Sequence, residues 1–312
     1  MKHLFIINPV AGGARSKYEE TEKTIKKFTE MLTDPYEIYV TKEPMDACNK
    51  VVSEAKAAED ESYSLRVYAC GGDGTLNECA NGAANLENVA ITHYPCGTGN
   101  DFLKTFGKEN INLFRDLNEL TSGTVRPLDL IDCDGRYGIN ICSVGIDARV
   151  GTDVHKYSNI PIIGGATGYI VSLVVNVIKG VVQRYRITVD DMVIDKKITL
   201  ACICNGRYYG GGFNPVPDAS PDDGVLDSLI VEPISRFQVA QIVGRYAKGR
   251  FREFPRVFTH IRGSGMEIKG DKDFVVNIDG EAIYTKKIKF KLIPKGINFV
   301  FPKKLQYLNA KT

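Results

Sequence analysis

The sequence is short of several features that would assign a chemistry at once. Its four histidines, at positions 3, 93, 155 and 260, are too scattered for a zinc site. It also lacks charge of one sign. Forty Lys and Arg against 38 Asp and Glu leave a net +2, so no whole-molecule field marks nucleic acid as a partner. The eight cysteines form no CxxC pair and mostly sit in apolar stretches. With no signal-peptide pattern at "MKHLFIINP", they are expected to be reduced thiols of a cytosolic protein. The one long uncharged run, "IPIIGGATGYIVSLVVNVI" (160–178), is broken by Pro161, Thr167, Ser172 and Asn176, and Lys179 follows it. A spanning helix needs about 20 predominantly apolar residues, so this run predicts a buried or surface-docking helix over 166–182. There is no low-complexity linker and no internal repeat.

What remains is the composition of an ordinary soluble globular protein, 43% hydrophobic and 25% charged, long enough for about two domains. The first third alternates strand and helix patterns: "HLFIINP", "SKYEETEKTIKKFTEML", "YEIYVT", "MDACNKVVSEAKAAED", "LRVYAC", "TLNECANGAANL", "VAITHYP" and "NDFLKTF". Such alternation predicts βαβ units and a parallel sheet, with every loop that follows a strand on one edge. After about Gly123 the pattern becomes β-branched and alternating, beginning with a hairpin that turns at Asp134-Gly135. Two helices interrupt it, near 166–182 and 235–249. The fold expected is an α/β domain over 1–125, joined by the C-terminal segment 298–312, and a mostly antiparallel β-sandwich over 126–297.

Three loops that follow strands are rich in glycine: "NPVAGGARS" (8–16), "GGDGTLNE" (71–78) and "PCGTGNDF" (95–102). In an open parallel sheet, ligands bind outside the carboxyl ends of the strands. Glycine loops expose backbone N–H groups, and helix N-termini add positive partial charge; together they suit phosphate. The loops are not those of two familiar phosphate motifs. GxxxxGK followed by Ser or Thr is absent, and in "GTGNDF" Phe102 stands where a dinucleotide fingerprint needs its third glycine. Asp73 among phosphates would be repulsive unless a cation such as Mg²⁺ mediates. The local alternative is that Asp73 merely caps the helix that starts near Thr75.

The ordered set "NPVAGG", "GGDGT.NE", "P.GTGNDF", "PDASPDDGVLD" and "NIDGE" resembles the diacylglycerol kinase catalytic-domain family, most closely its soluble bacterial lipid kinases. The resemblance runs over nearly the whole chain. It implies ATP and Mg²⁺ as cofactors, with the nucleotide in a cleft between the two domains. By position, the nucleotide would meet Asn8, Pro9, Val10, Ala11 and Gly12, then Thr41, then Gly71, Gly72, Asp73, Gly74, Thr75, Leu76, Asn77 and Glu78, and finally Thr98. The resemblance also implies Glu281 as proton acceptor with Asp279 orienting it or binding metal, and Asp129 and Asp73 near the catalytic metal. A structural magnesium loop would use the Asp223 side chain and the backbone carbonyls of Ser220 and Val225. Two positions depart from the family pattern: Lys104 stands where arginine is commoner, and "VAGG" where Ser-Gly is usual. Read locally, Asp279-Gly280 and Asp222-Asp223-Gly224 are ordinary turn sequences.

The expected reaction is transfer of the γ-phosphoryl group of ATP to a lipid alcohol, with diacylglycerol first among the acceptors. NAD, a sphingoid base and phosphatidylglycerol are the alternative acceptors, and a non-catalytic lipid- or nucleotide-binding regulator is the alternative role. An apolar helix over 166–182 would offer an acyl chain its groove. "GRYAKGRFREFPR", with Arg245, Lys248, Arg250, Arg252 and Arg256 against Glu253, would give transient contact with the inner face of an anionic membrane. A homodimer is compatible with the sequence.

Overall fold

The computed structural model describes residues 1–13, 15–146 and 182–307. The chain divides into two compact units, Met1–Leu128 with Lys295–Thr312, and Asp129–Pro294. All but the last residue of the helix expected over 166–182 lies outside the described residues.

Unit 1 is the α/β unit. Its strands β1 (Lys2–Ile7), β2 (Tyr36–Val40), β3 (Leu65–Gly71) and β4 (Val89–Pro95) run parallel in the order β2-β1-β3-β4. The chain's last strand adds parallel to β4 through Asn298↔Ala90 and Phe299↔Ile91. The apolar runs of β1 and β3 are buried almost throughout, as strands covered on both faces must be. Helices α1 (Arg15–Thr29), α2 (Asp46–Asp60), α3 (Asp73–Ala83), α4 (Asp101–Lys104) and α5 (Leu117–Thr121) intervene. α1 is strongly charged and buries only a narrow stripe, including Ile25 and Phe28. The register Ile7↔Cys70 and Gly71↔Pro95 brings the ends of β1, β3 and β4 together. The returning strand then steadies the loop after β4: Phe299 lies edge-on to Phe102 at 5.7 Å between ring centres, and Phe301 edge-on to Phe106 at 4.9 Å.

Unit 2 is an antiparallel β-sandwich. Its elements are β5 (Thr124–Cys133), β6 (Arg136–Gly138), β7 (Ile141–Gly145), β8 (Gln183–Val189), β9 (Met192–Ile198), β10 (Leu200–Cys204), β11 (Leu226–Val231), helix α6 (Arg236–Tyr246), β12 (Phe258–Gly263), β13 (Gly265–Ile278) and β14 (Glu281–Phe301), the strand that ends in unit 1. The main order is β12-β11-β10-β7-β13-β14; β8 adds to β13, β9 to β8, and β6 to β5. Period-two alternation divides the core. Cys202, Cys204, Leu229 and Val231 face Val239, Ile242 and Tyr246 of α6, whereas Ala201, Ile203 and Ile230 join a second cluster with Val144, Val276 and Phe290. β10 is therefore buried on both sides, which is why "LACIC" reads as one apolar run. α6 begins at a capping box between Ser235 and Gln238 and stops at Tyr246, short of the expected 249.

Two hairpins turn as their sequences require. Asp134-Gly135 and Asp279-Gly280 carry φ values of 52° and 91°, and 50° and 105°. Two consecutive positive φ values are the signature of the type I′ turn, for which Asp-Gly is a favoured pair.

Candidate active site

In unit 1 the three glycine loops lock to one another. Asn8 Nδ2 donates to Thr75 Oγ1 at 3.0 Å, while Asn8 Oδ1 accepts the Val10 N–H at 3.0 Å. The Gly71 carbonyl accepts the N–H of Cys96 at 2.8 Å and of Gly97 at 3.1 Å. From beneath, His93 Nε2 donates to the same carbonyl at 3.1 Å. Some of the glycines are there for close approach. A Cβ on Gly97 would lie 2.6 Å from the Gly72 Cα, and one on Gly12, where φ is +76°, would lie 2.6 Å from the Cys96 carbonyl. Gly74 differs: its Cβ position meets nothing within 4 Å and looks into open space. α3 starts here from Gly72 without a side-chain cap, so its first N–H groups border that space.

Asp73 does not cap α3. Its carboxylate receives the backbone N–H groups of Asn100, Asp101 and Phe102, the last at 3.2 Å, and so holds the start of α4 instead. Burial among the loops pushes this carboxyl above the usual carboxylate range, and the three N–H groups pull the other way. Lys104 pairs with Asp101 at 2.5 Å. His93 is fully buried, and its Nδ1 has no partner among the described residues. Burial drives its pKa down to about 4, so the ring is a neutral donor to Gly71.

The remaining nucleotide candidates divide. Pro9, Val10, Ala11, Gly12, Gly72, Gly74 and Thr98 keep solvent exposure along the loops, with Val10 at 78%. Thr41 closes β2 against β1, its N–H donating to the Ile7 carbonyl at 3.0 Å. Leu76 is core. Asn77 is buried and accepts from Asn81, and Glu78 Oε2 accepts the Ala47 N–H at 3.2 Å, near the start of α2. These last three turn inward and build the frame.

In unit 2, Asp129 lies with the 220–225 loop. It is 2% exposed, its N–H donates to the Pro221 carbonyl at 2.7 Å, and its Oδ2 accepts the Gly224 N–H at 2.8 Å. In that loop Ser220 Oγ donates to Asp222 at 2.6 Å, and Asp223 Oδ1 accepts the Val225 N–H at 3.2 Å. Arg262 reaches Asp223 at 2.5 Å and Asp227 at 3.4 Å, and His260 reaches Asp227 at 2.7 Å. Burial raises the pKa of Asp223; the Val225 N–H and Arg262 oppose this, and the charges of Asp227 and Asp129 add to it. Asp227 is 1% exposed, and its Oδ2 has no hydrogen-bond partner among the described residues. Among the described residues no group of three or more His, Cys, Asp or Glu is placed to hold a metal ion, and Asp223 and Asp227 instead pair with Arg262 and His260.

The Asp279-Gly280 turn carries the other candidate pair. Asp279 is saturated by backbone donors: Ile139 N–H at 2.6 Å, Ile141 N–H at 2.9 Å and Asn140 N–H at 3.1 Å. Its carboxylate therefore anchors the 139–141 turn. Glu281 opens β14 as an exposed side chain. His93 and the 139–141 turn carried no sequence signal beyond a histidine inside a strand and the two residues that separate β6 from β7.

Two family models match most of the chain. Residues 2–133 match the diacylglycerol kinase catalytic domain, and residues 140–301 match the YegS C-terminal NAD kinase beta sandwich-like domain. The chain is 28% identical over 257 residues to "Putative lipid kinase SH2167" of Staphylococcus haemolyticus, covering 81% of this chain and 82% of that protein. It is 29% identical over 241 residues to "Probable lipid kinase YegS-like" of Shewanella frigidimarina, covering 76% of each. A crystal structure of "a putative diacylglycerol kinase from Bacillus anthracis" superposes with a TM-score of 0.75 at 25% identity, covering 97% of this chain and 96% of that one.

Proposed function

The chain belongs to the lipid kinase family that joins a diacylglycerol kinase catalytic domain to a YegS-type β-sandwich, and from that premise we propose that it transfers the γ-phosphoryl group of MgATP to a lipid alcohol, diacylglycerol first among them. The observation that carries this reading is the set of interlocked glycine loops, which spend their own side-chain space on one another but leave Gly74 facing open space. Phosphate oxygens would be held there by loop N–H groups and the uncapped start of α3.

Phosphoryl transfer asks the protein mainly for positioning and charge neutralisation. Mg²⁺, when bound, supplies the neutralisation. Of the carboxylates proposed for the catalytic ion, Asp73 belongs to unit 1 and Asp129 to unit 2; Asp223, with the Ser220 and Val225 carbonyls, would hold a structural one. As the acceptor oxygen gains its bond to phosphorus it must lose its proton, and Glu281 would take it. Asp279 would set the hairpin that presents Glu281. An apolar pocket of about 50 Å³ in unit 2, lined by Leu200, Phe213, Val231, Ile242 and Val243, supports a lipid acceptor. A pocket of that size would take the end of an acyl chain rather than its length.

The acceptor would sit in a bilayer, so the protein would work from the cytoplasm as a peripheral enzyme at the inner face. Among the described residues no helix is long and apolar enough to cross a membrane. Arg245, Lys248, Arg250, Arg252 and Arg256 are exposed, which supports adsorption to anionic lipid. The deciding experiment is a radiolabelled-ATP assay against diacylglycerol, a sphingoid base, phosphatidylglycerol and NAD in mixed micelles, with mass identification of the product. Phosphatidate is expected; label on NAD alone would overturn the lipid reading, and label on none would overturn the kinase reading.

A further inference from the structure

The arrangement around Asp279 depends on a side chain outside every motif described above. Asn205 follows β10 in "CICNG" and is fully buried. Its Nδ2 donates to the Asp129 carbonyl at 2.8 Å and to the Ile139 carbonyl at 2.8 Å. Its own N–H donates to the Asn140 carbonyl at 2.8 Å, and the Gly206 N–H joins that oxygen at 3.0 Å. An amide that faces two carbonyls has one workable orientation, with nitrogen toward them. The Oδ1 atom has no partner among the described residues. Burying it is costly, so the residue is kept for its donor.

Each of the two carbonyls belongs to a segment with a task. Asp129 is fixed to the 220–225 loop through Pro221 and Gly224. Ile139 opens the turn whose three N–H groups hold Asp279. One NH₂ group therefore ties the acidic loop to the turn that anchors the Asp279–Glu281 hairpin. We propose that Asn205 is a positioning residue, touching no substrate, that keeps the 139–141 turn in register with Asp129 so that Asp279 presents Glu281 in one place. A donor to two buried acceptors has no apolar substitute, since both carbonyls would be left unpaired. Where turnover is concerned, the proposal rests on the kinase reading; its structural half does not.

The test is Asn205→Ser, compared with the native protein by amide-resolved hydrogen exchange and by steady-state kinetics. Exchange at Asn140 and Ile141 should speed by ~10–100-fold, on the scale of lost buried hydrogen bonds, while β3 and β4 keep their native rates. Turnover should fall by ~10–100-fold with the KM for ATP within about twofold, because misplacement by about an ångström has that effect on rate. A purely structural role would instead loosen all of unit 2 and spare the split between kcat and KM. Native exchange at 139–141, or unchanged turnover in the folded variant, would overturn the proposal. Should Asn205→Ser fail to fold, the native protein's own Asn205 side-chain NH₂ reads the tie: exchange as slow as that of the Ile141 N–H supports it, and rapid exchange overturns it. Were the native protein inactive on every acceptor while exchange behaved as expected, the kinase reading would fall and the tie would stand.

Discussion

His93 makes the stability of the phosphate-loop unit depend on pH in a way that can be calculated. The ring is fully buried, donates through Nε2 to the Gly71 carbonyl, and leaves Nδ1 without a partner. Protonation would place a second N–H and a full charge at that unpartnered atom. Burial accordingly holds its pKa at about 4, against 6.5 for an ordinary histidine. The folded protein thus binds this proton more weakly than the unfolded chain. The stability contribution is complete above pH 6.5 and is lost as pH falls toward 4. At 1.36 kcal/mol per unit, the whole shift is worth about 3 kcal/mol, and about 2 kcal/mol of it should disappear between pH 7 and pH 5. Asp73 acts in the opposite sense, because its raised carboxyl holds a proton better in the folded state and so weakens the fold as pH rises through its folded pKa. Subtraction separates the two. His93→Gln keeps a donor for Gly71 but cannot titrate, so urea unfolding of both proteins from pH 7 to pH 4.5 isolates the histidine. The native curve should lose about 2 kcal/mol more than the variant; parallel curves would refute the argument.

Gly74→Val should fold with a near-native Tm yet raise the KM for ATP sharply, because its Cβ fills only open space. Gly97→Ala should instead lower stability by ~1–3 kcal/mol through its clash with Gly72, and equal effects of the two substitutions on ATP binding and Tm would contradict this division of labour. In Asp223→Ala, added Mg²⁺ should no longer raise the melting temperature, since a ligand of the native state alone stabilises it by mass action; an undiminished Mg²⁺ response would return the loop to an ordinary turn. Glu281→Gln should lower kcat by ~10²–10⁴-fold while Tm and nucleotide affinity hold, and near-normal turnover would place the base elsewhere.

The fold class was legible because both of its periods are written locally. The βαβ alternation of the first third and the β-branched alternation after Gly123 each need only a window of neighbours. The three glycine loops were legible for the same reason, and parallel topology alone sends them to one edge. What each loop residue does was not. Leu76, Asn77 and Glu78 belong to the same motif as Gly74, yet they face the core, Asn81 and α2. A motif string does not separate residues that meet a ligand from residues that hold the loop. Asp73 shows the same limit from another side: its partners at 100–102 belong to the next glycine loop, which a local reading of the residue as a cap on its own helix does not contain.

The Asp279-Gly280 pair carries the point further. Local reading makes it a hairpin turn, family resemblance makes it part of a catalytic motif, and the two had looked like rivals. The structure shows the turn, and the turn is compatible with the motif. A type I′ turn puts Asp279 in the left-handed region at φ 50°, where a short polar side chain is tolerated. There the carboxylate accepts three N–H groups from residues 138 to 140 positions earlier in the chain. No window of neighbours contains such a contact. The turn is also what makes Glu281 the first, exposed residue of β14 rather than one buried within it. Turn chemistry is thus the means by which the motif would work, and a substitution that spared the carboxylate but broke the turn, such as Gly280→Val at φ 105°, should slow turnover much as loss of Asp279 does.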